Sequence, residues 1–274
     1  MSNYRKINPK KIGDLSKIVC DKSPSYSGIA CGLSKGDVYT NDEQQPKIAV
    51  VYSEPVGGFS ILGKIETKEE IDEFAEFLNN ELFPNLLEDE CECFEFSATQ
   101  DSMLLIMQSL FAEKSMNSES EYSLRMGDKV KDVIIPEGYQ ITQVDEQLLH
   151  EVENGNIENA SMLQEMIDNS WYSKEELLLS SMAFVALFEN RIVSSIVGTS
   201  RFQQFIPIDI VTEENHRQKG LASALTLAFI HECRKRGLVA QWDCIESNLA
   251  SKNTAKKCGF KLFRERKFYW FSIT

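Results

Sequence analysis

Apolar positions along the chain fall into strand-length runs and helical stripes. Residues 205–211 form a nearly continuous apolar, β-branched run, with Asp209 its one charge. After a polar break at 212–216, Leu221, Leu225, Ala228, Phe229 and Cys233 recur at helical spacing. Arg234, Lys235 and Arg236 complement the negative end of that helix, and Gly237 supplies the left-handed residue that ends it. A strand is expected at 238–244, a short helix from 248, and an aromatic strand at 268–271. Upstream, 183–188 and 192–198 flank Glu189-Asn190-Arg191 and predict a hairpin. A strand at 136–141 and helices from 145, over 162–170 and over 174–179 precede it.

The first half reads less regularly. Residues 1–37 carry many breakers and predict only short helices or loops. Strands are expected at 38–40, 48–52, 59–62, 93–96 and 121–126, with a mostly apolar helix over 103–111. Thr67-Lys68-Glu69-Glu70 is a capping box opening a helix with Ile71, Phe74, Ala75 and Leu78 on one face, which Pro84 should end or kink. Polar residues 113–121 and Gly127-Asp128-Lys129 mark the expected boundary. The reading is an N-terminal α+β domain over 1–128 and a second domain over 129–274.

Composition excludes several classes. The 274 residues are 42% hydrophobic and 26% charged, an ordinary globular balance. No apolar run approaches the ~20 residues of a membrane helix, and the basic N-terminus lacks the apolar core of a signal peptide. Seven scattered cysteines without a C-x-x-C argue against disulfides or a metal site, so a cytoplasmic protein with reduced thiols is expected. Net charge is −13, but residues 217–274 hold 12 Lys and Arg against 4 Asp and Glu. An acidic protein with its cations gathered there suits a polyanionic ligand and not nucleic acid.

That cationic region begins at a candidate anion site. The first amides of a helix have no internal partner and point at whatever lies before them. Small residues at Gly220 and Ala222 let a phosphate approach those amides, and Arg217 and Lys219 add charge. Neither G-x-G-x-x-G nor G-x-x-x-x-G-K-[ST] occurs.

The stretch Arg217-Gln218-Lys219-Gly220-Leu221-Ala222 resembles motif A of the GNAT superfamily of N-acyltransferases. Asn248-Leu249-Ala250-Ser251, followed by Cys258-Gly259-Phe260, resembles its motif B. The spacing from Trp242-Asp243 to Asn248 and Ser251, with the aromatic strand 268–271, is similar to the subgroup that includes the zwittermicin A resistance acetyltransferase. The resemblance covers about the last 140 residues. It implies a mixed α/β, α+β-class GNAT domain with a central mixed sheet and order β-α-α-β-β-β-α-β-α-β.

The activity implied is acetyl transfer from acetyl-CoA to a primary amine of a small molecule, by direct attack in a ternary complex. The cofactor would lie on Ile210, Val211 and Thr212, on Arg217, Gln218, Lys219, Gly220, Leu221 and Ala222, and on Asn248 and Ser251. Asp209, a carboxylate in an apolar strand, is the candidate base, its alternatives being a buried structural pairing or a solvent-facing position set by the strand's alternation; Asn248 and Ser251 are equally helix caps. Where many members carry a tyrosine acid this chain has Ala255, leaving Cys258, water or no acid. That departure keeps open a catalytically weak acyl-CoA sensor. Aminoacyl transfer from tRNA is the other alternative, which the acidic first half disfavours. No metal, membrane or nucleic-acid partner is expected, and a homodimer is left open.

Overall fold

The computed structural model describes residues 2–128 and 131–274. The chain divides into two compact units, residues 1–120 with 266–274, and residues 121–265. The boundary expected from sequence falls at Lys129, outside the described residues.

The first unit contains β1 (Arg5–Ile7), α1 (Pro24–Ala30), β2 (Asp37–Thr40), β3 (Ile48–Ser53), β4 (Gly58–Gly63), α2 (Lys68–Phe77), α3 (Phe83–Glu88), β5 (Cys93–Ala98) and α4 (Asp101–Leu110). The capping box forms as expected, Thr67 accepting from Glu70 and Glu70 accepting in return. Pro84 does not end the helical run. A single π turn over Leu78–Leu82 widens the backbone just before it, and Pro84 then occupies the first turn of α3.

The strand β6 (Asn117–Met126) leads into the second unit. There follow β7 (Gln140–Gln143), α5 (Glu146–Glu153), α6 (Ser161–Ser170), α7 (Lys174–Ser180), β8 (Ala183–Phe188), β9 (Arg191–Gly198), β10 (Phe205–Thr212), α8 (Leu221–Lys235), β11 (Val239–Ile245), α9 (Leu249–Lys257) and β12 (Phe260–Ser272). Among the described residues no helix is long and apolar enough to cross a membrane.

Within the second unit the strand order is β6-β11-β10-β9-β8-β7. Helices cover both faces. Leu221, Leu225, Phe229 and Cys233 of α8 pack with Ile206, Ala240 and Trp242 on one side. Trp171, Leu163, Ile167 and Leu177 pack with Val185 and Val197 on the other. Fully buried side chains such as Leu225 and Phe229 contribute about 1.5–3 kcal/mol each.

The first unit repeats this connectivity. Its order is β1-β2-β3-β4-β5-β12, with α2 crossing over between the parallel strands β4 and β5 as α8 does between β10 and β11. Sequence periodicity had given this half only an α+β character, because pairing order is set by long-range contacts. Its last strand is the end of the chain, Tyr269 to Ser272 pairing with β5. The second unit takes β6, Glu121 to Arg125 pairing antiparallel with β11.

Gly198 lies where three elements meet. Its carbonyl accepts from Trp171 Nε1 at 2.9 Å and Ser181 Oγ at 3.1 Å. A Cβ there would stand 2.1 Å from Ser181 Oγ and 2.6 Å from Ile206 Cγ2. Gly198→Ala should therefore destabilise the protein by about 1–3 kcal/mol, read as a lower urea midpoint at unchanged slope.

Candidate active site

The site grows from an interrupted strand pair. β10 and β11 run parallel only from Phe205 with Val239 to Pro207 with Gln241. Beyond that, β10 pairs with β9 through Ile208 to Thr212, and β11 pairs with β6 through Gln241 to Ile245. The strands diverge into a cleft of ≈ 920 Å³ closed at one end by the start of α8.

The turn before α8 is built to leave that helix start open. Gln218 (φ 61°) and Gly220 (φ 89°) are both left-handed, a conformation that costs a non-glycine residue ~1 kcal/mol. Arg217 Nε donates to the Thr212 carbonyl at 3.2 Å and ties the turn to the strand. The N-cap Gly220 brings no side-chain cap, and the first turn of α8 holds no acid. Its amides therefore present partial positive charge to the cleft. A side chain at position 220 would meet only Pro136 Cγ, at 3.8 Å. Glycine is required there by backbone conformation, with room left beside it.

The corresponding place in the first unit is arranged oppositely. β4 and β5 stay joined from Phe59–Phe96 to Ile61–Ala98, and Thr99 extends the join, its amide donating to Ile61 O and its hydroxyl accepting from Gly63 N. Glu70 accepts from the amides of Glu66 and Thr67, at 2.9 and 3.1 Å. Those bonds and the Lys47 ammonium lower its pKa to about 2. The helix start there is satisfied by its own carboxylate.

Of the residues singled out from sequence, Asp209, Ile210, Val211, Thr212, Arg217, Gln218, Gly220, Leu221, Ala222, Asn248 and Ser251 all line the cleft. Lys219 does not. Its ammonium lies 5.9 Å from the Tyr139 ring centroid, on the aromatic group formed with Phe188 and His216. Asn248 is the N-cap of α9, accepting from Ser251 N at 3.0 Å, while Ser251 Oγ accepts from Trp242 Nε1 at 2.8 Å. Both are thus structurally engaged at the cleft wall. Cys258 is buried beneath it and donates to Ser223 O, and burial raises its pKa.

Asp209 opens on the cleft, yet the surrounding protein desolvates its carboxylate and raises the pKa; the Ile210 amide, donating to Oδ1 at 2.8 Å, partly opposes this. Glu213, at the end of the strand, is held by Arg191 Nη2 at 2.6 Å and by Asn159, and the Arg191 hydrogen bond lowers its pKa. It anchors the turn. Asn253 and Thr254, which sequence did not single out, also line the cleft, together with Lys257 and with Asp243 of the Trp242-Asp243 pair. The alternation of β11 could have shown that Asp243 shares a sheet face with Gln241.

This combination of a splayed parallel pair and an uncapped, glycine-led helix defines an acyltransferase-type fold. The match to the GNAT acetyltransferase family model spans residues 20–269, and the chain belongs to that family. It is 25% identical over 272 residues to the uncharacterized N-acetyltransferase YdfB of Bacillus subtilis, covering 98% of this chain and 99% of the relative. A GCN5-related N-acetyltransferase-like protein from Streptococcus suis superposes with a TM-score of 0.59 at 20% identity, over 86% of this chain and 88% of that one. A tandem GNAT protein from the clavulanic acid biosynthesis pathway does so at 0.54 and 11%, over 88% and 84%. These similarities establish the fold and the class of transferase.

Asn248→Ala removes the cap of α9. It should cost about 1 kcal/mol and speed amide exchange at Ser251, measured by hydrogen–deuterium exchange.

Proposed function

We propose that the chain transfers an acetyl group from acetyl-CoA to a primary amine of a small molecule, by direct attack in a ternary complex formed in the second unit. The observation that carries this reading is the open cleft between β10 and β11 ending on the uncapped start of α8. The pyrophosphate fits the amides of 217–222, with Arg217 beside them. The acyl-pantetheine arm fits between the edge of β10 at 210–212 and the start of α9. The zwittermicin-like pattern of Trp242, Asp243, Asn248 and Ser251 supports a small-molecule acceptor.

In this reading Asp209 accepts the proton of the attacking amine, for which a raised pKa is useful. The amine nitrogen bonds to the acetyl carbon, the carbon–sulfur bond breaks, and the thiolate leaves. An amide of the β10 edge polarises the thioester carbonyl. Ile210 N–H faces that side, and Asp209 Oδ1 must release it first. Ala255 is fully buried, so α9 offers no tyrosine-type acid. Ala255 favours the rival reading of an acyl-CoA sensor, which would bind acetyl-CoA without acetylating an amine.

The testing experiment is calorimetric titration with acetyl-CoA. Wild type should bind one equivalent per chain, since Glu70 already fills the equivalent amides of the first unit. Gly220→Asp, which sets a carboxylate at the proposed phosphate site, should lose binding while melting as a folded protein. No uptake by wild type would sink the reading.

A second outcome concerns pH. Asp209 is protonated below a pKa that lies above the ordinary 3.8, so kcat/KM should rise with pH through that raised value. Asp209→Asn should lack this limb and lose roughly 10²–10⁴ in rate. The linkage sign gives an activity-independent check. A raised folded-state carboxylate pKa makes stability fall as pH climbs from the unfolded to the folded value. Above that window, Asp209→Asn should be at least as stable as wild type in urea.

A further inference from the structure

The cleft holds a second carboxylate whose placement follows from strand register. Phe205 pairs with Val239 and Pro207 with Gln241, so two residues further the partners would be Asp209 and Asp243. The strands have parted by then. Asp209 and Asp243 therefore occupy the same sheet face on facing walls of the cleft, and both line it.

Asp243 is aimed by a chain of contacts. Gln241 Nε2 donates to both of its carboxylate oxygens, at 3.1 and 3.2 Å. The orientation of the Gln241 amide is set at its other end, where Oε1 accepts from Arg125 Nε at 3.1 Å. Arg125 lies with its guanidinium carbon 3.8 Å from the Phe205 ring centroid and 3.5 Å from that of Phe263. Such stacking holds the planar cation by its faces, so that its edge can donate to Gln241. Gln241 is 1% exposed, so this relay is part of the packed sheet, and only its last member reaches the cleft.

Acetyl transfer to one amine uses one carboxylate to take one proton. A second, oriented carboxylate across the opening has no part in that proton transfer, but it suits another positive charge on the acceptor. We propose that Asp243 recognises a second cationic group of the acceptor, so that the substrate class is a small diamine or a larger amine bearing two ammonium groups. Gln241 and Arg125 are the positioning residues that aim it. The inference rests on the acetyl-transfer reading above and names its acceptor.

The test separates the two. Acetyl-CoA is titrated first, and absence of binding overturns the parent reading. With that binding in hand, protein saturated with CoA is titrated with linear diamines from ethylenediamine to cadaverine, each against the monoamine of equal chain length. At least one diamine should bind about ten-fold more tightly than its monoamine, the size of one hydrogen-bonded charge contact. Asp243→Asn should abolish that preference and Asp243→Glu restore part of it, which a purely structural role would not produce. Gln241→Met, folded as judged by its melting curve, should reduce the preference with Asp243 still present. Equal affinities across the series would overturn the inference, as would a preference that survives in Asp243→Asn.

Discussion

Everything at the cleft depends on where one parallel ladder stops. β10 and β11 share three register positions and then take different neighbours, β9 and β6. Had the ladder continued, Asp209 would face Asp243 directly, a like-charge pair that destabilises a sheet. Divergence relieves that repulsion and turns two backbone edges toward a common space. Both carboxylates line the space so formed.

The two units differ in how the start of the crossover helix is filled. Both carry a parallel pair joined by a crossover helix. In the first, the pair stays joined through Thr99 and the helix start is filled by Glu70. In the second, the pair opens and Gly220 leaves the helix start bare. Connectivity provides the location, while helix-capping chemistry decides whether an anion can use it.

Much of the second unit was legible because its signals are local. The α8 stripe, the β8–β9 hairpin, the cap of α9 and the small residues of the turn all declare themselves within a few positions. Eleven of the twelve residues singled out do line the cleft. The position of the Lys219 ammonium was not legible because charge in a motif does not reveal rotamer; it lies 5.9 Å from the Tyr139 ring centroid. The topology of the first unit was not legible, since its sheet order depends on pairings between residues nearly 180 apart, as between Phe94 and Phe271. Asp243 stood out in sequence beside Trp242, but its place opposite Asp209 was not legible, because it depends on a register shared with β10.

The pairing of β5 with the last residues of the chain has a consequence for biosynthesis. Residues 93–98 are made long before their partner strand at 269–272. Phe271, packed among Phe83, Phe94 and Phe111, supplies part of the first unit's core from the far end of the sequence. That half cannot finish its sheet until residues 269–272 have been made. A nascent chain stalled short of residue 269 would lack the strand that its N-terminal half requires.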